Sequence, residues 1–125
     1  MGLRVLIVDD ALFMRNMLKE IFLKAGYEIV GEAGNGQEAV EAYRQLRPDL
    51  VTMDIVMPLK SGIEALQEIC GEDPQARVVM CSALGQETLV IEAVQGGARD
   101  FIVKPFKEQR VLEVVRRVTG QTAQA

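Results

Sequence analysis

Arg4-Val5-Leu6-Ile7-Val8-Asp9-Asp10 opens on a run of apolar residues and closes on two carboxylates. An apolar run without alternation suits a strand covered on both faces, and strands of that kind belong to parallel sheets. Outward from this stretch, short β-branched runs alternate with longer amphipathic segments, each pair separated by Gly, Pro, Asn or Asp. Strands are expected at 4–8, 28–32, 50–53, 77–81 and 100–103, and helices at 11–25, 37–46, 62–70, 87–95 and 107–118. Five right-handed βα units give an α/β fold: a doubly wound, five-stranded parallel sheet in the order 2-1-3-4-5.

Local signals support the helix boundaries. In the first helix Phe13, Met17, Leu18, Ile21 and Phe22 recur near the helical period and should form one buried stripe, which stops at Gly26. The second carries Ala39, Val40, Tyr43 and Leu46 and ends before Pro48, which disfavours a helical residue ahead of it. The fourth ends at Gly96-Gly97 and the fifth near Gly120. One domain over 1–120 and a short polar tail over 121–125 account for the 125 residues, too few for two domains with substantial cores.

Composition removes several classes of function. Apolar residues make up 49% and charged residues 26%, a balance that supports a core and a polar surface and argues against disorder. With 14 Lys+Arg against 18 Asp+Glu, a broad nucleic-acid-binding face is not expected. No apolar run approaches the roughly 20 residues of a membrane helix, and the N-terminus enters a strand without the sections of a signal peptide, so the expected location is the cytoplasm. Cys70 and Cys81 have no CxxC context and the chain has no histidine, so both are expected as reduced, buried thiols rather than zinc ligands. The methionines, among them Met14, Met17, Met53 and Met80, read as core filler.

The chemistry is expected outside the carboxyl ends of the strands, where the strand order reverses. Asp9 and Asp10 follow strand one, Asp54 strand three, Ser82 strand four and Lys104 strand five. In the order 2-1-3 the three aspartates converge, and like charges at close range are unfavourable without a cation. An all-oxygen site without His or thiolate suits a hard cation, and Mg2+ fits a few carboxylates plus water. Three carboxylates and Lys104 sum to −2, which one Mg2+ neutralises, leaving a site ready for an anion. Bland roles compete for single residues: Asp10 as cap of the first helix, Ser82 as cap of the turn into the fourth, Lys104 as a solvated charge, Phe101 as core. Asp54, in Val51-Thr52-Met53-Asp54-Ile55-Val56-Met57, is the first choice for a reactive group, because an unpaired charge ending a buried strand is costly.

Together these motifs carry a resemblance. The acidic pair after Val5-Leu6-Ile7-Val8, Asp54 followed by Met57-Pro58 and Ser61-Gly62, Cys81-Ser82-Ala83, and Phe101-Ile102-Val103-Lys104-Pro105-Phe106 are similar in order and spacing to the receiver domain of two-component response regulators. Within that flavodoxin-like family the chain most resembles the stand-alone chemotaxis regulators, through Ala83-Leu84-Gly85-Gln86 and Ala98-Arg99-Asp100-Phe101. The resemblance implies that Asp54 accepts a phosphoryl group from a sensor histidine kinase of the CheA-like type. It implies that Asp9, Asp10, Asp54 and the Val56 backbone carbonyl hold Mg2+, and that Ser82 and Lys104 bind the phosphoryl oxygens. Phe101 would be the switch ring, the fourth helix, fifth strand and fifth helix the output surface with Val90 and Phe101 in contact, and Lys104-Pro105 a cis peptide. The implied target is a flagellar motor switch protein of the FliM-like type, a phosphatase is a further partner, and the expected species is a monomer.

Departures from the family pattern are also legible. Ser82 replaces a frequent threonine, Phe101 a frequent tyrosine, and Val56 and Leu84 are apolar where relatives often carry polar groups. A phosphorelay intermediate or the receiver of a larger regulator would share the site. Other classes fit less well. Haloacid dehalogenase-like phosphatases use Asp-x-Asp where this chain has adjacent aspartates, a flavodoxin-like carrier needs a Ser/Thr/Gly-rich phosphate loop, and no P-loop motif occurs.

Overall fold

The computed structural model describes residues 2–120; the expected tail over 121–125 lies outside the described residues. The chain runs β1 (Arg4–Val8), α1 (Leu12–Lys24), β2 (Glu28–Ala33), α2 (Gly36–Leu46), β3 (Leu50–Asp54), α3 (Gly62–Glu72), β4 (Val78–Ser82), α4 (Glu87–Gln95), β5 (Asp100–Val103) and α5 (Glu108–Thr119). The strands form one sheet in the order β2-β1-β3-β4-β5 with every pair parallel, as the alternation predicts.

Side-chain alternation along buried strands splits the interior into two cores. Leu6, Val8, Val51, Met53, Val78 and Met80 pack under α2, α3 and α4 with Val40, Tyr43, Leu66 and Ala93. Val5, Ile7, Leu50, Val79, Cys81 and Ile102 face the other way, against Leu18 and Phe22 of α1 and Val111, Val114 and Val115 of α5. Because β1, β3 and β4 are filled on both faces, these strands have no solvent side, which is why their sequences are largely apolar.

Two expectations need correction. Phe13 is 72% exposed and takes no part in the α1 stripe. It lies about 140° around the helix from Leu18, whereas Met14, Leu18 and Phe22 follow one another at i+4 and turn inward together. Cys70 is only partly buried, although Cys81 is fully so. β3 and β4 each run one residue beyond the expected spans, to Asp54 and Ser82, the polar residues expected at those strand ends. The end of α2 falls at Leu46, ahead of Pro48 as expected, and Arg47 closes it in the left-handed region at φ 46°, its N–H donating to Tyr43 O.

One polar group in the second core lacks a partner. Thr52 is buried between Ile7 and Val79, and its Oγ1 makes no hydrogen bond. A buried hydroxyl without a partner costs free energy that an apolar group of similar shape does not. Thr52→Val should therefore raise the unfolding free energy by about 1 kcal/mol in a urea titration, and a fall would show that the hydroxyl is satisfied in solution.

Candidate functional site

Parallel strands end on one edge of the sheet, and that edge collects the polar residues. Asp9 follows β1, Asp54 ends β3, Ser82 ends β4 and Lys104 follows β5. In β3, Asp54 shares the face of Leu50 and Thr52, which is the α1/α5 side. Asp9 continues the Val5, Ile7 series and Lys104 follows Ile102 in its series, so all three reach the same side of the edge. Oxygens of Asp9, Asp10 and Asp54 lie within 4.8 Å of one another. Lys104 Nζ stands 3.1 Å from Asp9 Oδ2 and 3.3 Å from Asp54 Oδ2.

The environment of each carboxylate differs. Asp9 and Asp54 are buried, at 1% and 8% exposure, while Asp10 is open to solvent. Asp10 does not cap α1: Ala11 holds the N-cap position and makes no side-chain cap bond. Asp9 Oδ1 accepts the Ala11 N–H at 2.9 Å. Asp9 Oδ2 is buried and makes no hydrogen bond; its approach to Lys104 is an ion pair without hydrogen-bonding alignment. That oxygen is what a resident cation would satisfy, and an all-carboxylate donor set with one open member suits a hard, partly hydrated ion. Asp9, Asp10 and Asp54 can thus hold a metal ion.

Burial pushes the Asp54 carboxyl above its ordinary range, and the charges of Asp9 and Asp10 act in the same direction against Lys104. Burial alone would favour neutral Lys104, but the Asp9 and Asp54 carboxylates outweigh it and hold the ammonium above the usual lysine range. Lys104 is the internal counter-charge of the cluster.

Backbone contacts set the position of Asp54. Ile55 N–H donates to Cys81 O at 3.2 Å and Gly62 N–H to Ile55 O at 2.8 Å, which folds the loop after β3 back over the strand end. At Gly62 a Cβ would stand 2.0 Å from the Asp54 carbonyl oxygen. Ser61, before it, caps α3 in a capping box with Glu64. Val56, half exposed, lies in this loop two residues past Asp54.

Ser82 emerges on the opposite face from Asp54, because Asp54 pairs with Cys81. It shares the Val78, Met80 face of β4, and with Val90 and Phe101 it lines a cavity of about 300 Å³ on the α4 side. The link to the charged side is through the backbone, where Lys104 N–H donates to Ser82 O at 2.7 Å. Phe101 is half-buried against the first core, and Lys104-Pro105 is cis. Sequence reasoning missed two residues that touch the site. Arg15 Nη1 donates to the Asp9 carbonyl at 2.7 Å, and Gln86 Oε1 accepts the Ala83 N–H at 2.8 Å. For Arg15 the signal was a basic residue one turn into the helix that follows the acidic pair.

Three carboxylates and a lysine gathered on this edge of a five-stranded parallel sheet define a class of protein. A family model of the response regulator receiver domain matches residues 5–116, and the chain belongs to that family. It is 60% identical to the chemotaxis protein CheY of Thermotoga maritima over 95% of this chain and 99% of that protein. It is 59% identical to the chemotaxis protein CheY of Bacillus subtilis over 94% of this chain and 98% of that protein. One chain in the crystal structure of the CheX-CheY-BeF3-Mg2+ complex from Borrelia burgdorferi superposes with a TM-score of 0.89 at 44% identity, covering 93% of this chain and 88% of that one. The chain is therefore a CheY-like receiver domain, and among the described residues no helix is long and apolar enough to cross a membrane.

Two outcomes follow from the site. Gly62→Ala should destabilise the protein by about 2 kcal/mol, because the new methyl group meets backbone that has no rotamer to change; urea unfolding measures it, and an unchanged midpoint would refute the close approach. The raised Asp54 value means that the folded state favours the protonated carboxyl, so in chelator stability falls as pH rises through that value. Asp54→Asn should therefore raise Tm at neutral pH, and the gain should shrink as pH falls through the raised value towards the ordinary carboxylate range. A gain independent of pH in circular-dichroism melts would contradict this.

Proposed function

We propose that this protein is a phosphorylation-controlled switch of chemotaxis in which Asp54 accepts a phosphoryl group from a sensor histidine kinase. The observation that carries the reading is the placement of Lys104 Nζ at 3.1 and 3.3 Å from two buried carboxylates within a three-aspartate cluster. Such a group holds negative charge that is only partly balanced, at the strand edge where this fold binds ligands. Asp9, Asp10, Asp54 and the backbone carbonyl of Val56 would hold Mg2+, whose charge offsets that developing on the transferring phosphoryl oxygens. The Borrelia relative, seen with BeF3 and Mg2+, supports that choice of ion.

In the transfer an Asp54 oxygen attacks phosphorus, the phosphorus–nitrogen bond of the donor phosphohistidine breaks, and the imidazole leaves with the bonding electron pair. Lys104, already between Asp9 and Asp54, needs only a short shift to pair with a phosphoryl oxygen. Ser82 lies across the strand end and donates its hydroxyl to another oxygen. These contacts draw Ser82 and its loop inward and enlarge the cavity lined by Ser82, Val90 and Phe101, into which the Phe101 ring can turn. Phe101 has no hydroxyl, so this switch works through packing alone. The target is a flagellar motor switch protein docking on α4, β5 and α5, the setting is the cytoplasm, and a phosphatase resets the signal.

Intact mass after incubation with acetyl phosphate tests the chemistry. One Mg2+-dependent phosphoryl adduct is expected, absent from Asp54→Asn, together with capture of a motor-switch peptide only by the phosphorylated protein. A folded protein that takes up no phosphoryl group with Mg2+ present would overturn the reading.

A further inference from the structure

Asp9 is tethered at every polar atom but one. Its N–H donates to Ala33 O at 3.0 Å, its Oδ1 accepts the Ala11 N–H at 2.9 Å, and its carbonyl accepts Arg15 Nη1 at 2.7 Å. Only Oδ2 is left without a hydrogen bond, buried and turned towards Lys104. The Arg15 bond differs from the others because it grips the peptide unit that joins Asp9 to Asp10. The plane of that peptide sets the directions in which the two carboxylates leave the chain.

Arg15 is itself held. Its Nε donates to Glu32 Oε1 at 3.0 Å, and Lys19 Nζ lies 2.5 Å from Glu32 Oε2. The hydrogen bond from Lys19, with that from Arg15, keeps the Glu32 carboxyl below its ordinary range despite partial burial. Glu32 belongs to β2, the neighbour of β1, so a charged relay runs from α1 to the adjacent strand and back to the exit of β1. The Arg15 side chain is only 18% exposed, which limits its alternative rotamers. An ordinary surface ion pair between α1 and β2 would not need the second donor of the guanidinium aimed at a backbone carbonyl in the acidic loop.

We infer that Arg15 is a positioning residue that sets the metal affinity of the Asp9–Asp10 pair, with Glu32 fixing the guanidinium. The inference rests on reading the aspartate cluster as a Mg2+ site. Partners of metal ligands orient them, and their loss commonly weakens metal binding by about 10-fold to 100-fold.

The test is calorimetric titration of the full chain with Mg2+, paired with Tm in chelator. Arg15→Ala should weaken Mg2+ binding about tenfold and Glu32→Gln about threefold, with the double variant no weaker than Arg15→Ala. Arg44→Ala, which breaks the exposed pairs to Glu68 and Glu72 between α2 and α3, serves as the stability control and should leave Mg2+ affinity unchanged. Unchanged affinity in Arg15→Ala, with only Tm lowered, would reduce Arg15 to a packing role and overturn the inference. If Arg15→Ala does not fold, Glu32→Gln decides by the same criterion. Absence of Mg2+ binding in the unsubstituted protein would overturn the metal reading itself.

Discussion

Repulsion among three carboxylates, restrained by one ammonium, is the constraint on which this structure turns. Two unit charges about 4 Å apart interact by about 4 kcal/mol at an effective dielectric constant of about 20. Asp9, Asp10 and Asp54 accumulate several such terms, and Lys104 offsets only part of them. The protein keeps the cluster because it is anchored elsewhere: the strands that carry it are filled on both faces by apolar side chains. Two cores supply stability, and the edge between them stores unfavourable charge. An ion or a new anion that rebalances the edge therefore changes the free energy of the surrounding loops.

The loops are built to feel that change. The β3–α3 loop is closed over Asp54 by the Gly62 contact, so this carboxylate is backed by rigid backbone. The β4–α4 segment is held more lightly. Ala83 N–H is satisfied by the side chain of Gln86, and Leu84 is 82% exposed. Asp54 thus has stiff support, whereas the segment after Ser82 is tethered by a side chain. The Val78, Met80 face of β4 leads from Ser82 to the half-buried Phe101, which gives a change at the charged side a path to the α4 face.

Arg15 extends this logic to the acidic pair. Adjacent aspartates on one turn repel each other and would splay if the peptide between them were free to rotate. A guanidinium on that carbonyl, fixed by Glu32, holds the turn from outside the acidic pair. The same arrangement leaves Asp9 Oδ2 without a hydrogen bond and facing the Lys104 ammonium at 3.1 Å.

Much of this was legible in the chain. The unbroken apolar runs report burial on both faces, alternation with amphipathic segments reports a parallel sheet, and polar residues closing the runs at Asp9, Asp54, Ser82 and Lys104 report a common edge, because strand ends are local features that topology then gathers. The misplaced stripe residue had a local cause too: Phe13 has the right composition for the α1 stripe but the wrong angle, while the competing cap role of Asp10 falls away because Ala11 holds that position. Pattern alone could not separate Ser82 from the carboxylates, since whether they share a face depends on the register between strands, and Asp54 pairs with Cys81 rather than with Ser82. Nor could it find Arg15, whose partners Glu32 and the Asp9 carbonyl meet only when β2 pairs with β1 and α1 lies against them. Residue types and their order decided which elements form and what chemistry they carry, because burial and periodicity act along the chain. Distance and direction between charges were left to the tertiary structure, because hydrogen bonds and ion pairs depend on ångström-scale placement that only packing supplies.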